Sequence, residues 1–221
     1  MQIQLGNQTM EAGRVFCIGR NYAEHIAELG NERPESPVIF TKPATSLVSA
    51  AQRDIPFPRS GECPHYETEI VVLIGREGYP ADAQDAVNWI SGIGAGLDLT
   101  LRETQNVLLP KGLPWDICKG FDHSAPVGTF SPFSGTAEDL RRLRFTGAVN
   151  GRICQRGDSS LMIFPIPELI MSIARYWRLL PGDLIFTGTP PGVGRLNPGD
   201  VVGITDPSGA YFEWRLASPE S

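Results

Sequence analysis

Residues 67–74 read Glu67-Thr68-Glu69-Ile70-Val71-Val72-Leu73-Ile74, and this stretch decides the fold. The apolar residues from position 70 onward form an unbroken run, which is typical of a strand buried on both faces. Side chains two residues apart in a strand point to the same face, so Glu67 and Glu69 project together. The stretch therefore predicts a buried strand that begins with a pair of carboxylates.

Short apolar segments and turn residues alternate on either side of this strand. Glycine and proline account for 24 and 19 of the 221 residues, and both interrupt helices. This composition favours short strands and many turns over long helices. Further strands are predicted at residues 15–18, 38–40, 92–99, 145–149, 152–155, 184–187 and 201–204, and helices at residues 21–29, 82–90, from 101 onward and at 168–177. The sequence thus predicts a single α+β domain, dominated by β-strands, over residues 1–221.

Three local signals mark where elements begin or turn. Thr100 followed three residues later by Glu103 is a capping-box pattern and predicts a helix that starts at residue 101. Asn150-Gly151 between two apolar segments favours a type I′ turn and therefore a β-hairpin. Pro167 suits the first turn of a helix, because the N–H that proline lacks has no partner there.

Charge and hydropathy exclude several classes of protein. A formal net charge of −6 argues against a general nucleic-acid binder, which needs a basic surface. No apolar run reaches about 18 residues, the length of a membrane-spanning helix. Residues 1–13 lack the basic and apolar segments of a signal peptide, so a cytoplasmic location is expected. The cysteines, none of them in a C-x-x-C pair, are expected to be reduced thiols; they are Cys17, Cys63, Cys118 and Cys154.

The two glutamates of the buried strand are candidate metal ligands. Like charges on one face repel each other unless a cation lies between them. A site made of carboxylate oxygens suits Mg²⁺, Mn²⁺ or Ca²⁺. Asp98, at the end of the apolar strand at 92–99, is a candidate third carboxylate. Two alternatives stay open at this point: a solvent-facing pair of glutamates, and an ion pair between Asp98 and Arg102 at helical spacing.

A second candidate group is the pair His25 and Glu28 on the predicted helix at 21–29. Their spacing places them on one face, where the carboxylate can orient the imidazole as a general acid or base. A surface His–Glu pair is the alternative. Residues 186–194 form a glycine- and threonine-rich turn that can offer N–H groups and hydroxyls to an anion, although it lacks the Gly-Lys-Ser/Thr of a P-loop. It is equally compatible with a tight turn between strands.

Six motifs occur in a fixed order along the chain. They are Gly19-Arg20-Asn21-Tyr22-Ala23-x-His25-x-x-Glu28; Phe40-x-Lys42-Pro43; His65-x-Glu67-x-Glu69; Leu97-Asp98-Leu99-Thr100-x-Arg102 with Gln105; Lys111-Gly112-x-Pro114-Trp115 with Lys119; and Thr187-Gly188-Thr189-Pro190-x-Gly192-Val193-Gly194. With them the chain closely resembles the fumarylacetoacetate hydrolase family, and within it the short, single-domain branch of acylpyruvases and oxaloacetate-handling enzymes. The resemblance extends from about residue 15 to residue 214.

The resemblance implies a mixed β-sandwich roll with a few short helices, a divalent metal and a homodimer. The implied metal is Mg²⁺ or Mn²⁺, with Ca²⁺ as a further option, on Glu67, Glu69 and Asp98. The implied catalytic residues are His25, Glu28 and Lys119. Substrate-side positions are implied for Arg20, Lys42, Gln105 and Thr189. The helix that carries His25 is expected to belong to a mobile lid over residues 23–34.

The function that the resemblance implies is a metal-dependent hydrolase. It would cleave the C–C bond of a 2,4-diketo acid, an acylpyruvate or fumarylpyruvate, to give pyruvate and a carboxylic acid. Its partner is then a small-molecule 2-keto acid, with no nucleic acid and no membrane. Alternatives are an oxaloacetate decarboxylase, an oxaloacetate keto–enol tautomerase, an isomerase or decarboxylase of aromatic-acid catabolism, and a non-catalytic metal-binding protein of the same fold.

Overall fold

The computed structural model describes residues 1–30 and 32–219. The strands are β1 (Gln2–Leu5), β2 (Gln8–Glu11), β3 (Val15–Gly19), β4 (Val38–Lys42), β5 (Leu47–Ser49), β6 (Asp54–Ile55), β7 (His65–Tyr66), β8 (Thr68–Ile74), β9 (Ile90–Leu97), β10 (Ala125–Val127), β11 (Ser131–Pro132), β12 (Arg144–Val149), β13 (Arg152–Asp158), β14 (Leu184–Phe186), β15 (Gly194–Arg195), β16 (Val201–Thr205) and β17 (Tyr211–Leu216). The helices are α1 (Ala23–Glu28), α2 (Ala83–Val87), α3 (Arg102–Leu108), α4 (Asp116–Lys119), α5 (Ala137–Leu140) and α6 (Ile166–Ala174). Single 3₁₀ turns lie at Ala44–Ser46, Leu109–Lys111 and Ser159–Leu161.

The largest sheet has β8 near its middle. Its strand order is β4-β3-β14-β8-β9-β10-β5, and β11 pairs with β9. Strands β8 and β9 run antiparallel, with Thr68 opposite Leu97 and Glu69 opposite Gly96. One further bond, from Asp98 N–H to Glu67 O at 2.8 Å, continues this ladder beyond the end of β9. The pairing thus brings the predicted carboxylates on the two strands to the same edge of the sheet.

Strand β8 is buried on both faces, as its unbroken apolar run predicted. On one face Ile70 and Val72 join a cluster with residues of α6, among them Leu169. On the other face Val71 and Leu73 join a second cluster with residues of β3, β10 and β14. The two faces of one strand therefore serve two apolar cores. The predicted α+β fold, dominated by strands, is confirmed.

A second sheet, in the order β13-β12-β16-β17-β6, lies against the start of β8. Its first two strands form the predicted hairpin, and the φ angles of 50° at Asn150 and 77° at Gly151 are those a type I′ turn requires. The sheets approach closely at Gly147, where an added Cβ would lie 2.1 Å from Thr68 Oγ1. Strand β13 is thereby placed within side-chain reach of the carboxylate edge.

The predicted capping box at Thr100 is wrong. Helix α3 starts at Arg102, and the Thr100 hydroxyl donates to Asp98 O at 3.1 Å. The acceptor at the helix start is Glu62, whose carboxylate accepts from Glu103 N–H at 2.7 Å and from the Thr104 hydroxyl at 2.6 Å. Leu101, the residue at the N-cap, has no hydrogen-bond acceptor in its side chain. The carboxylate of Glu62, from a distant part of the chain, accepts these hydrogen bonds instead.

Other helix boundaries also differ from the sequence prediction. Asp82 caps α2 as expected, accepting from Asp85 N–H at 2.8 Å, but this helix ends at Val87 because β9 begins three residues later. Helix α6 starts two residues earlier than predicted and still has Pro167 in its first turn. Within the described residues, every helix is too short or too polar to cross a lipid bilayer.

Candidate metal and substrate site

Three buried carboxylates form the centre of the candidate site. Glu67 precedes β8, Glu69 lies within it, and Asp98 follows β9, so the β8–β9 ladder sets their spacing. Each is at most 5% exposed, and one oxygen of each lies within 4.8 Å of the others. The structure thus brings the three predicted residues together. A pair of solvent-facing glutamates is excluded by their burial.

Three cationic side chains surround the carboxylates. Lys119 Nζ donates to Glu67 Oε2 at 2.7 Å and to Asp98 Oδ2 at 2.6 Å. Lys42 Nζ lies 2.8 Å from Asp98 Oδ1, and Arg102 forms an ion pair with Glu67. The alternative ion pair between Asp98 and Arg102 is therefore wrong, because Asp98 lies outside the helix that begins at Arg102.

The pKa shifts follow from this arrangement. Burial alone would raise the pKa of Glu67, but Lys119 and Arg102 outweigh it and hold the pKa well below its usual range. Burial alone would lower the pKa of Lys119, yet the charges of Asp98 and Glu67 shift it upward, so the ammonium stays charged. For Glu69, burial and the charges of Asp98 and Glu67 raise the pKa well above its usual range.

The carboxylate cluster fits a divalent cation. Lys42 Nζ donates to Leu99 O at 3.1 Å, to Ser124 Oγ at 3.0 Å and to the carbonyl of Lys119, which engages all three of its protons. Asp98 Oδ1, although close to that ammonium, accepts no hydrogen bond from any described residue. A buried acceptor without a donor is costly. A hard cation on the three carboxylates would satisfy it and would relieve the repulsion at Glu69.

His25 of the predicted His–Glu pair lines a small cavity, which Glu67 of the carboxylate cluster lines as well. His25 Nδ1 is 3.2 Å from Glu28 Oε2, a geometry in which Nδ1–H donates to the carboxylate; in the neutral imidazole this leaves Nε2 as an acceptor. His25 is buried, and the cavity beneath it has a volume of about 40 Å³. It is lined by Gly19, Arg20, His25, Leu29, Phe40, Glu67, Arg102, Gln105, Leu109, Trp115 and Lys119. The imidazole, one metal-site carboxylate and a lysine thus face one space.

The turn at residues 188–194 binds carboxylates of the protein itself. Gly188 N–H donates to Glu69 Oε2 at 2.8 Å, and Gly192 N–H donates to Glu28 Oε1 at 3.0 Å. Both glycines have positive φ, 99° and 97°, and a Cβ on Gly192 would lie 2.2 Å from Cys154 O. The predicted anion-binding turn therefore contacts Glu69 of the carboxylate cluster on one side and helix α1 on the other.

The substrate-side residues from the sequence occupy two kinds of position. Arg20, at a φ of 60°, and Gln105 line the cavity. The polar atoms of Lys42 are bound to protein groups, and the Thr189 hydroxyl donates to Thr68 O at 2.9 Å. Arg102, which belongs to one of the six motifs but not to the predicted site residues, lines the cavity and donates to the Gln105 side chain. Its spacing of three residues from Gln105 on one helix was the available signal.

A β-rich fold places a buried three-carboxylate cluster with two lysines next to a cavity that His25, Glu67 and Lys119 line, and this arrangement is typical of an enzyme that handles negative charge on a small substrate. Residues 14–208 match the profile of the fumarylacetoacetate (FAA) hydrolase C-terminal family, and the chain belongs to this family. The predicted family and the prediction of an enzyme are confirmed.

Two curated relatives and one solved structure illustrate the similarity. The chain is 40% identical over 202 residues to the mitochondrial oxaloacetate decarboxylase of Dictyostelium discoideum, which covers 90% of this chain and 92% of the relative. It is 38% identical over 192 residues to an oxaloacetate tautomerase of Escherichia coli, covering 87% of each. The crystal structure of fumarylpyruvate hydrolase from Pseudomonas aeruginosa in complex with Mn²⁺ and pyruvate superposes with a TM-score of 0.90 at 33% identity, covering 100% of this chain and 96% of that one. The predicted fold type is that of this structure.

Proposed function

We propose that this chain is a metal-dependent enzyme of short 2-keto acids and that its substrate is oxaloacetate, which it tautomerises or decarboxylates. The observation that carries the proposal is the buried three-carboxylate centre with Lys119 between two of its members and His25 across the cavity. The relatives from Dictyostelium discoideum and Escherichia coli, named for reactions of oxaloacetate, support this substrate.

A divalent metal is part of this proposal. Glu67, Glu69 and Asp98 would hold Mg²⁺ or Mn²⁺, and the Mn²⁺ in the Pseudomonas aeruginosa hydrolase supports a metal of this kind. When bound, such an ion acts as a Lewis acid that stabilises negative charge on the 2-oxygen of a keto acid.

The side chains around the cavity supply the remaining chemistry. Lys119, which stays protonated, adds positive charge next to the developing enolate. Arg20 and Gln105 line the cavity where a substrate carboxylate would be held. His25, held by its contact with Glu28, would move a proton at C3 during tautomerisation. In decarboxylation, C3 gains a proton only after CO₂ has left, so this reaction depends less on a base.

Hydrolysis of a 2,4-diketo acid, which the sequence analysis placed first, is the second candidate. The free Nε2 of His25 favours it, because this atom can take a proton from a water molecule that attacks the C4 carbonyl. The fold similarity to a fumarylpyruvate hydrolase points the same way. Hydrolysis, decarboxylation and tautomerisation all need stabilisation of charge on the 2-oxygen. In hydrolysis water attacks C4, in decarboxylation C4 leaves as CO₂, and in tautomerisation only a proton moves.

A turnover panel tests the proposal. The purified chain would be assayed with oxaloacetate, its enol form, acetylpyruvate and fumarylpyruvate, in Mg²⁺ or Mn²⁺ and again with EDTA. We expect metal-dependent turnover that is greatest on an oxaloacetate form. Turnover confined to the acylpyruvates would replace this function with the second candidate, and no turnover on any of the four would overturn both.

We further propose one catalytic domain over residues 1–221, a cytoplasmic location and a homodimer. The single domain is supported by the site itself, since motifs from residue 19 to residue 194 converge on it. Four cysteines without a disulfide fit a reducing compartment. The dimer rests on the family resemblance, and light scattering that gives the mass of one 24.1 kDa chain would contradict it.

A further inference from the structure

We propose that Gln155, on β13, is a positioning residue of the metal centre. Its side chain amide binds the backbone of Thr68, the residue between Glu67 and Glu69, and also the turn that contacts Glu69. It would thereby set the direction of both glutamates without contacting the metal or the substrate. This inference rests on the proposed metal site at these glutamates.

Thr68 needs side-chain partners because the neighbouring strand β14 ends before it reaches this residue. Strand β14 pairs with β8 only from Leu73 to Val71, and its last further bond runs from Thr187 N–H to Ile70 O at 3.1 Å. At Thr68 there is no longer a strand on this side. A buried peptide group left in that position must find other partners.

Side chains supply both partners of Thr68. Gln155 Oε1 accepts from Thr68 N–H at 2.9 Å, and the Thr189 hydroxyl donates to Thr68 O at 2.9 Å. These two contacts hold the peptide planes on either side of Thr68. Because successive side chains of a strand leave from alternate faces of these planes, the contacts also fix the directions of Glu67 and Glu69.

Gln155, Thr68 and Thr189 form a closed ring of hydrogen bonds. Its Nε2 donates to Thr189 Oγ1 and to Pro190 O, both at 2.8 Å. The turn held in this way is the one whose Gly188 N–H binds Glu69 Oε2 at 2.8 Å. One amide therefore supports Glu69 twice, through the strand and through the turn.

The chemistry requires glutamine in particular. The amide uses one acceptor and both donors here, and Gln155 is 1% exposed, so water cannot replace a lost partner. Glutamate would keep the acceptor for Thr68 N–H but would lose both donors. Methionine has a similar length and would lose all three contacts. Gln155→Glu thus removes only the contacts to the turn, whereas Gln155→Met also removes the contact to Thr68 in the strand.

The test measures Mn²⁺ affinity by calorimetry on folded protein. We expect Gln155→Met to weaken binding by about 10–100-fold, as is usual for groups that orient metal ligands, and Gln155→Glu to weaken it less. Thr189→Val should weaken it too, and the double variant Gln155→Met/Thr189→Val should lose less than the two single effects combined, because both residues act on one unit. Ile173→Val, a mild core substitution in α6, controls for lost stability, and Gln52→Met controls for an exposed glutamine.

The possible outcomes separate this inference from the proposed function. Wild-type protein that binds no Mn²⁺ would overturn both. Wild-type binding that is matched by Gln155→Met and Gln155→Glu would overturn the role of Gln155 alone. If Gln155→Met does not fold, Gln155→Glu decides: unchanged affinity rejects the role, and weakened affinity that the Ile173→Val control does not share supports it.

Discussion

At the scale of single residues, Glu69 differs from its two neighbours in the cluster. Glu67 and Asp98 each contact a lysine or arginine, whereas the contact to Glu69 comes from a backbone N–H. Burial and the two nearby carboxylates raise its pKa, so without a metal its neutral form persists to higher pH than that of an ordinary glutamate. The one carboxylate of the cluster without a contact from a lysine or arginine is thus the one that would gain most from a bound cation.

Glu69→Gln should abolish metal binding while leaving metal-free protein folded. The amide resembles the neutral carboxyl in shape and charge. In the wild type this acid has a higher pKa folded than unfolded, so metal-free stability should fall as pH rises from the unfolded pKa through the folded one. Glu69→Gln should lack this pH-dependent contribution to stability, because the amide does not ionise. Thermal unfolding of both proteins in EDTA across the pH range, with calorimetry for the metal, checks it; identical pH slopes would contradict the role of Glu69.

His25→Ala should separate the two candidate reactions. Hydrolysis of an acylpyruvate needs an activated water, and a positioned base contributes about 10²–10⁴-fold. Oxaloacetate decarboxylation needs chiefly charge stabilisation and should fall less. Asp98→Ala, by contrast, should remove both activities because both depend on the carboxylate centre. The ratio of the two rates in each variant is the measurement; hydrolysis that survives His25→Ala would remove the imidazole from the mechanism.

At the scale of elements, the helices are held to the site by contacts that come from elsewhere in the chain. Helix α3 carries Arg102 and Gln105, and its first turn is bound by the Glu62 side chain. Helix α1 carries His25, and its Glu28 is bound by Gly192 N–H. The short helices thus depend on partners outside their own sequence.

Glu62→Ala should destabilise the protein by about 0.5–2 kcal/mol, the usual cost of a lost helix N-cap. The variant removes the acceptor for Glu103 N–H and for the Thr104 hydroxyl. Urea unfolding gives the free energy, and the exposed Glu35→Ala is the matched control. A change within about 0.5 kcal/mol, as at ordinary surface positions, would count against the cap.

The helix α1 region should open to admit substrate. The cavity beneath α1 has a volume of about 40 Å³, far below the roughly 300–1,000 Å³ of typical ligand pockets. Hydrogen exchange of residues 23–30 should slow when oxalate, an enolate mimic, is added, whereas residues 166–174 of α6 should not change. The predicted lid extends to residue 34 and includes Asn31, which lies outside the described residues. Equal and strong protection with and without oxalate would show that no lid opens.

Features that depend on residues close together in the sequence could be predicted from it, whereas contacts between distant segments could not. The pairs Glu67 with Glu69 and His25 with Glu28 depend on strand and helix periodicity and could be predicted locally. Their meeting with Asp98 and Lys119 was implied by the family resemblance. The contacts of Glu62 with α3 and of Gln155 with Thr68 join residues 41 and 87 positions apart, and no local pattern marks them.

At the scale of the whole molecule, the cores enclose two of the four thiols. Cys17 and Cys118 are fully buried, whereas Cys63 and Cys154 are partly exposed. Burial raises the pKa of both enclosed thiols, and the charge of Asp98 adds to the shift at Cys17. The thiolate, which is the reactive form, is therefore disfavoured inside the fold.

Two thiols per chain should react with Ellman's reagent in native protein, and all four should react after unfolding in guanidinium. Because the buried pair becomes accessible only when the cores open, its reaction rate reports on that opening. Mass spectrometry of the labelled peptides assigns the sites. Rapid labelling of Cys17 in native protein would contradict the packing around β3.

The balance of three carboxylates by three cations at the centre has a consequence for product release. With all three carboxylates ionised, the three cations balance them, so a bound divalent ion would leave two positive charges that a dicarboxylate such as oxaloacetate cancels. Loss of CO₂ followed by uptake of a proton at C3 converts this dianion into the monoanion pyruvate, so one positive charge would be left without a counter-charge. Replacing the pyruvate monoanion by a new oxaloacetate dianion restores the charge balance, so binding of substrate favours release of product. We expect pyruvate to inhibit weakly and malonate to inhibit strongly, with the difference shrinking as salt is added.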